Sequence, residues 1–199
     1  MSVNPILLDV PVPITTDRIL LRHSRAGDGQ DLNDALLEDW DEYAKWLPFA
    51  KKKPTVEESE ENVRRSHARW ILREDLRLLI CDRATGQLAG STGLHRMKWE
   101  VPTFEIGYWI RKSFLGKGYA TEATNALTRY CFKQMKAKRV ELKFSSKNEK
   151  SIKVAKRLGF NYEGETKNDH VSPDGAEVRD TLIYSRVNAE GLPPLEVKW

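Results

Sequence analysis

Ile110-Arg111-Lys112-Ser113-Phe114-Leu115-Gly116-Lys117-Gly118-Tyr119-Ala120-Thr121-Glu122-Ala123 is the stretch on which the reading of this chain turns. An apolar strand ends at Ile110, a glycine loop follows, and an amphipathic helix begins at Tyr119. Loop amides and a helix N-terminus then converge on one spot, which makes an anion site. Gly116 and Gly118 let the backbone approach phosphate oxygens, and Lys112 and Lys117 add positive charge. The loop is not a Walker loop, which needs Gly-x-x-x-x-Gly-Lys-Ser/Thr. Nor is it a dinucleotide fingerprint, which needs a third glycine where Thr121 stands.

The flanking sequence is alternately strand-like and helix-like. Upstream, Arg18–Arg22 reads as a strand. Leu32, Ala35 and Leu36 recur at helical spacing, and Thr55-x-x-Glu58 is a capping box. Behind it Val63, His67, Trp70 and Ile71 form one stripe, with His67 read as a packed histidine. Strands follow at Leu76–Cys81, Gln87–Leu94 and Thr103–Ile110. Downstream, Tyr119–Met135 is a helix, Arg139–Ser145 alternates as a strand, and Glu149–Leu158 is a helix that Gly159 ends in a left-handed conformation. Thr181–Val187 is a last strand. This order implies an α/β fold, a mixed sheet with helices on its faces. Residues 1–199 read as a single domain, with 1–15 a loose proline-spaced arm and 188–199 a proline-broken tail that either docks on a neighbour or frays.

The chain has 199 residues, 40% hydrophobic and 31% charged. It is neither collagenous nor of a disordered composition. Two cysteines cannot build a disulfide framework. No apolar run approaches the ~18 residues of a membrane span. These features imply a cytoplasmic protein. The net charge of +4 hides a split: Arg111–Arg157 holds 14 basic and 3 acidic residues, while Asp28–Glu42 is densely acidic. Nucleic acid is a weak reading of the basic stretch, because no aromatics are interleaved as stacking platforms and no recognition motif is present.

About 30 residues beyond the glycine loop, Asn148-x-x-Ser151 opens a helix that closes on Arg157-Leu158-Gly159-Phe160. With Phe104–Ile110, Gly116–Ala123 and the opening Thr16–Arg22, these residues resemble the GNAT superfamily of N-acyltransferases. Within it they look most like the branch of bacterial ribosomal-protein N-terminal acetyltransferases. The resemblance spans roughly residues 14–187. It implies a sheet splayed between the strands near 103–110 and 138–145, acetyl-CoA as cosubstrate, and direct acetyl transfer to an amine. It also implies that the amides of Gly116, Lys117, Gly118, Tyr119 and Ala120 hold the CoA pyrophosphate. By the same resemblance pantetheine pairs with backbone at Ile110 and Arg111, and Asn148 either contacts the pantetheine or fixes its helix. The superfamily's Gln/Arg at the head of the loop is Leu115 here, a departure for which Arg111 is the candidate compensation.

Acetyl transfer needs a neutral amine, a polarised thioester carbonyl and a proton for the departing thiolate. Ser151, at the branch's matching position, is the candidate for the last. Glu105, on the strand beside the acetyl group, is the candidate base, and His170 is its rival. Glu105→Gln is expected to lower kcat ten-fold or more while acetyl-CoA binding persists. His23 and His95 show no partner at useful spacing, and four scattered histidines and two distant cysteines make no metal site. Cys81 and Cys131 read as structural. The acceptor is expected to be a protein N-terminal amine, as on a ribosomal protein. A small amine is the alternative, and a catalytically silent CoA-binding module the reading of a different class. The acidic early helices are expected to face a cationic acceptor. Trp40, Trp46 and Phe49 serve as a dimer patch or an acceptor wall, so monomer and homodimer both stay open.

Overall fold

The computed structural model describes residues 4–47 and 49–199. Eight strands form one sheet: β1 (Ile14–Thr15), β2 (Ile19–His23), β3 (Leu76–Asp82), β4 (Leu88–Lys98), β5 (Thr103–Ile110), β6 (Arg139–Ser145), β7 (Asn161–Val171) and β8 (Val178–Arg186). The helices are α1 (Gly29–Leu37), α2 (Trp40–Tyr43), α3 (Val56–Leu72), α4 (Tyr119–Lys133) and α5 (Glu149–Arg157). The sheet order is β1-β2-β3-β4-β5-β6-β8-β7, the mixed α/β arrangement expected.

β3 explains the layering. Its run Leu78-Leu79-Ile80-Cys81 is apolar on both faces, as a strand covered on both sides must be. Leu78 and Ile80 join the cluster under α4 and α5, with Phe104, Ala123, Leu127 and Leu158. Leu79 and Cys81 join the opposite cluster, with Leu32, Leu36, Trp40 and Val63 beneath α1–α3. Cys131 is fully buried on α4, so both cysteines are core residues.

Every pair of neighbouring strands is antiparallel except β5 and β6, which run parallel on either side of the α4 crossover. That pair is short: Thr103 faces Arg139, Phe104 faces Val140 and Glu105 faces Glu141. Beyond Glu105, β5 stays with β4 as far as Ile110, whereas β6 stays with β8 as far as Ser145. The sheet therefore opens in a V, the splay that the family resemblance implies.

Local chemistry sets the element ends. Thr55 and Glu58 close their capping box at α3. Gly118 takes φ +84 to start α4, and Gly159 takes φ +63 after α5, backbone angles that L side chains adopt only with strain. Ile71, assigned by spacing to the buried stripe of α3, is 53% exposed, whereas Val63 and Trp70 are buried. Position 71 lies eight residues past Val63, which turns it well off that face.

Two terminal expectations are overturned. Residues 4–15 are not a loose arm: Ile14 and Thr15 pair with Leu21 and Leu20, and Ile14 is fully buried. The tail does not fray but docks on its own chain. Lys198 exchanges backbone hydrogen bonds with Thr15, Trp199 sets its ring edge-on to Tyr130, and Asn125 and Arg129 of α4 donate to the Pro193 carbonyl. β7 went unforeseen as a strand because Asn161–Val171 is mostly polar and mostly exposed, as suits a protected sheet edge.

Candidate active site

The glycine loop sits at the open end of β5 and is braced from behind. Arg18 donates to the Lys117 carbonyl at 2.9 Å, pairs with Glu122 and lies over the Tyr119 ring. The buried Tyr119 hydroxyl donates to Asp82, so this side chain is structural and only its backbone faces the loop. The amides of Gly116, Lys117 and Gly118 donate to no group among the described residues. Gly118, as N-cap, offers the first turn of α4 no side-chain acceptor. The N–H groups at this helix start are thus left for an anion. Nothing lies within 4 Å of where a Cβ on Gly116 would be, so the approach is open. Two cations stand here: Lys117 over the Phe114 ring, and Arg157, which donates to Thr121 on the first turn of α4.

Arg111 does not supply that charge. Its guanidinium pairs with Glu38, and its N–H donates to Ala89 at 2.8 Å. The Ile110 carbonyl is taken by the Tyr43 hydroxyl at 2.9 Å. Of the backbone groups that the sequence reading reserves for pantetheine at these two positions, the Arg111 N–H and the Ile110 carbonyl are therefore engaged by the protein. Since Arg111 N–H points at β4, ladder alternation turns the groups of Tyr108 and Ile106 toward the V. They form the open backbone edge.

Across the V, Asn148 caps α5 by accepting from the Ser151 N–H at 3.1 Å. Of its two expected roles, fixing the helix is the one this contact performs. The Tyr108 hydroxyl is buried and no hydrogen bond is closed onto it. Burial pushes its pKa up to about 12, and the Ser151 side chain is the one opposing influence. Tyr108 is therefore protonated at neutral pH and able to donate.

On the face of the sheet beneath α1–α3 is a cavity of about 530 Å³. Leu36, Trp40 and Phe49 form its apolar wall, so these aromatics line a pocket, while Trp46 packs under Arg179. On its floor lies His95, whose Nδ1 is 2.6 Å from Asp75. An ionised carboxylate can only accept, so the proton sits on Nδ1 and Nε2 carries a lone pair. The ring lies flat on the sheet over two glycines: a Cβ on Gly93 or on Gly107 would come within 3.0 or 3.1 Å of it. The expectation that His95 lacks a partner is thus wrong. Asp75 is 20 residues away and arrives only through the β3–β4 hairpin. Glycines inside two adjacent strands were the available signal, because they mark close approach of something to the backbone.

Glu105 faces His95 across the β4–β5 register. It is buried, paired with Arg96, and 3.6 Å from Lys143. His170 lies elsewhere, near the tip of the β7–β8 hairpin, 3.2 Å from the Thr181 hydroxyl, and is not part of the cavity wall. The acidic early helices do not face the cavity as a cation trap. Glu38, Asp39 and Glu42 pair with Arg111, Lys112 and Lys150 of the basic segment. Among the described residues no group of three or more His, Cys, Asp or Glu could hold a metal ion, and no helix is long and apolar enough to cross a membrane.

Residues 18–161 match the family model described as the acetyltransferase (GNAT) domain. The chain is 31% identical over 178 residues to YdaF of Bacillus subtilis (strain 168), provisionally named a ribosomal N-acetyltransferase, covering 87% of this chain and 93% of that protein. Among solved structures, it resembles the ribosomal L7/L12 alpha-N-protein acetyltransferase RimL in complex with coenzyme A. There the TM-score is 0.80 at 22% identity, over 86% of this chain and 95% of that one. The microcin C7 self-immunity acetyltransferase MccE, in complex with acetyl-CoA and AMP, gives a TM-score of 0.80 at 24% identity, over 86% and 93%.

Proposed function

The chain belongs to the acetyltransferase (GNAT) domain family, and from that premise we propose that it moves an acetyl group from acetyl-CoA to the N-terminal α-amine of a protein, such as a ribosomal protein. The names of the relative YdaF and the structural neighbour RimL favour this acceptor. One observation carries the reading: a single cavity holds both the His95–Asp75 pair and Tyr108, which stands on the V of the sheet.

The free amides of Gly116–Ala120 would hold the pyrophosphate, with Lys117 and Arg157 beside it, and the unpaired edge of β5 would align the pantetheine arm. His95 Nε2 takes the proton of the incoming ammonium, directly or through a water, and Asp75 stabilises the imidazolium that forms. Glu105 is committed to its ion pairs with Arg96 and Lys143. Its place opposite His95 gives it an electrostatic part instead. The neutral amine attacks the thioester carbonyl, the C–S bond breaks, and the sulfur leaves as thiolate. A thiol pKa of about 8.5 lies below that of Tyr108. Tyr108 therefore stabilises the thiolate by hydrogen bonding, and Ser151 relays to the sulfur the proton that the attacking nitrogen sheds as the amide forms. His170 takes no part. The cytoplasm, with its acetyl-CoA and nascent proteins, is the proposed location, and the enzyme acts as a monomer or homodimer.

The test is CoA-thiol release from acetyl-CoA with unblocked and N-terminally blocked peptides, lysine peptides, polyamines, amino acids and aminoglycosides. Turnover of an unblocked peptide that is abolished by blocking its N-terminus is expected. Turnover of a small amine alone would overturn the acceptor assignment, and silence throughout would favour a CoA-binding module.

A further inference from the structure

The sequence reading placed an acidic surface at the acceptor, but the cavity carries the opposite charge. Lys52, Arg65, Arg69 and Arg77 stand on its wall against Glu58 and Asp75. Lys52 pairs with Glu58, Arg65 with Glu61, and Asp75 with His95. Arg69 and Arg77 have no carboxylate within ion-pair distance among the described residues.

Arg77 is the unusual one. It rises from β3 opposite Gly93, and its Nη1 donates to Asn62 of α3. Its Nε and Nη2 are buried and have no hydrogen-bond partner among the described residues. Those two atoms form one edge of the guanidinium, the edge whose parallel N–H groups fit a carboxylate or phosphate in a bidentate fork. Leaving a buried charged donor unsatisfied is costly, and burial already presses the Arg77 pKa downward, with the charges of Asp75 and Asp28 opposing and that of Arg69 reinforcing. An oxyanion entering the cavity would satisfy both atoms at once.

Resting on the acetyl-transfer reading above, we propose that Arg77 is the specificity residue of the acceptor site and that the preferred acceptor carries an oxyanion one residue beyond its reactive amine, as does a peptide with Asp or Glu in second position. The peptide acceptor proposed above selects this over a free α-amino acid, because its first carboxyl is tied up in an amide and the nearest oxyanion is a side chain's. Arg77 stands two residues beyond Asp75, which faces His95, so the Cα atoms of 75 and 77 are roughly 7 Å apart on one face of the sheet. A chain whose amine meets His95 can extend a second-residue side chain toward Arg77.

The experiment compares two peptides that differ only by Glu or Gln in second position, on wild-type enzyme, Arg77→Gln and Arg77→Lys. With wild type, the Glu peptide should show a KM about tenfold or more below that of the Gln peptide, at similar kcat. Arg77→Gln should erase this preference by raising the KM of the Glu peptide alone, and Arg77→Lys should restore it only in part. Equal KM values on wild type, or an Arg77→Gln loss shared by both peptides, would overturn the proposal and leave Arg77 a structural residue. Calorimetry of the same peptides separates this inference from the reading beneath it. Preferential binding of the Glu peptide without turnover keeps the oxyanion site and removes N-terminal acetylation. Turnover of both peptides without preference does the reverse. A further arm sets a free amino acid against its amide. Preference for the acid there would keep Arg77 as the anchor but overturn the second-residue placement.

Discussion

His95 lies on two glycines, has its Nδ1 proton committed to Asp75, and presents Nε2 to the cavity. If it is the base, His95→Gln should lower kcat by about 10²–10⁴-fold while the KM for acetyl-CoA stays near wild type, because His95 is remote from the glycine loop. Glu105→Gln should cost less than His95→Gln. Steady-state kinetics of the two variants decides between them, and the opposite ranking would return the base role to Glu105. The sequence places Glu105 on β5 and Ser151 near the start of α5. It does not show that Arg96 and Lys143 hold Glu105, or that Ser151 stands by a buried Tyr108 hydroxyl. Those are neighbours in space from different elements, and no local spacing encodes them.

At the scale of elements, β7 is the one whose attachment can be titrated. It is polar and exposed, and Glu163 on it pairs with Arg139 of β6 across β8. The Arg139 guanidinium, then the Ser185 hydroxyl, hold the Glu163 carboxyl down from 4.5 to about 2. A carboxyl whose pKa is lowered on folding contributes stability above its unfolded value and loses it as pH falls through the folded one. Thermal melts between about pH 5 and about pH 2 should show a falling midpoint, and Glu163→Gln should flatten part of that fall. An unchanged slope in the variant would show that the pair contributes nothing measurable, as holds for many exposed ion pairs. The seam between β5 and β6 was legible through the resemblance of the glycine loop and its flanking strands to the GNAT superfamily, in which that strand splays from its neighbour. β7 was not legible, because its stability comes from its neighbour β8 rather than from an alternating apolar face.

Over the whole molecule, the two halves of the charge split meet each other. Arg111, Lys112 and Lys150 are spent on Glu38, Asp39 and Glu42, which docks the acidic helices onto the start of the basic loop. Lys117 and Arg157 stay at the anion site, with no ion pair to a carboxylate among the described residues. Raising salt from about 0.05 to about 0.5 M should therefore raise the KM for acetyl-CoA, since exposed charges are screened over a Debye length of ~10 Å at 0.1 M. A salt-independent KM would mean that the loop binds through its amides alone.

By itself the sequence determined most of the strand and helix order, the glycine loop at the start of α4, the capping residues and the buried cysteines. These rest on periodicity, backbone freedom and contacts between near neighbours in the chain. Only the tertiary structure decided that Asp75 meets His95, that Arg111 turns to Glu38 rather than to the loop, and that the cavity above His95 is lined by cations. It also decided that both termini are tied into the sheet and onto α4. Each of these pairs groups far apart in sequence, and whether two such charges meet depends on which strands are neighbours and which way each side chain leaves the sheet.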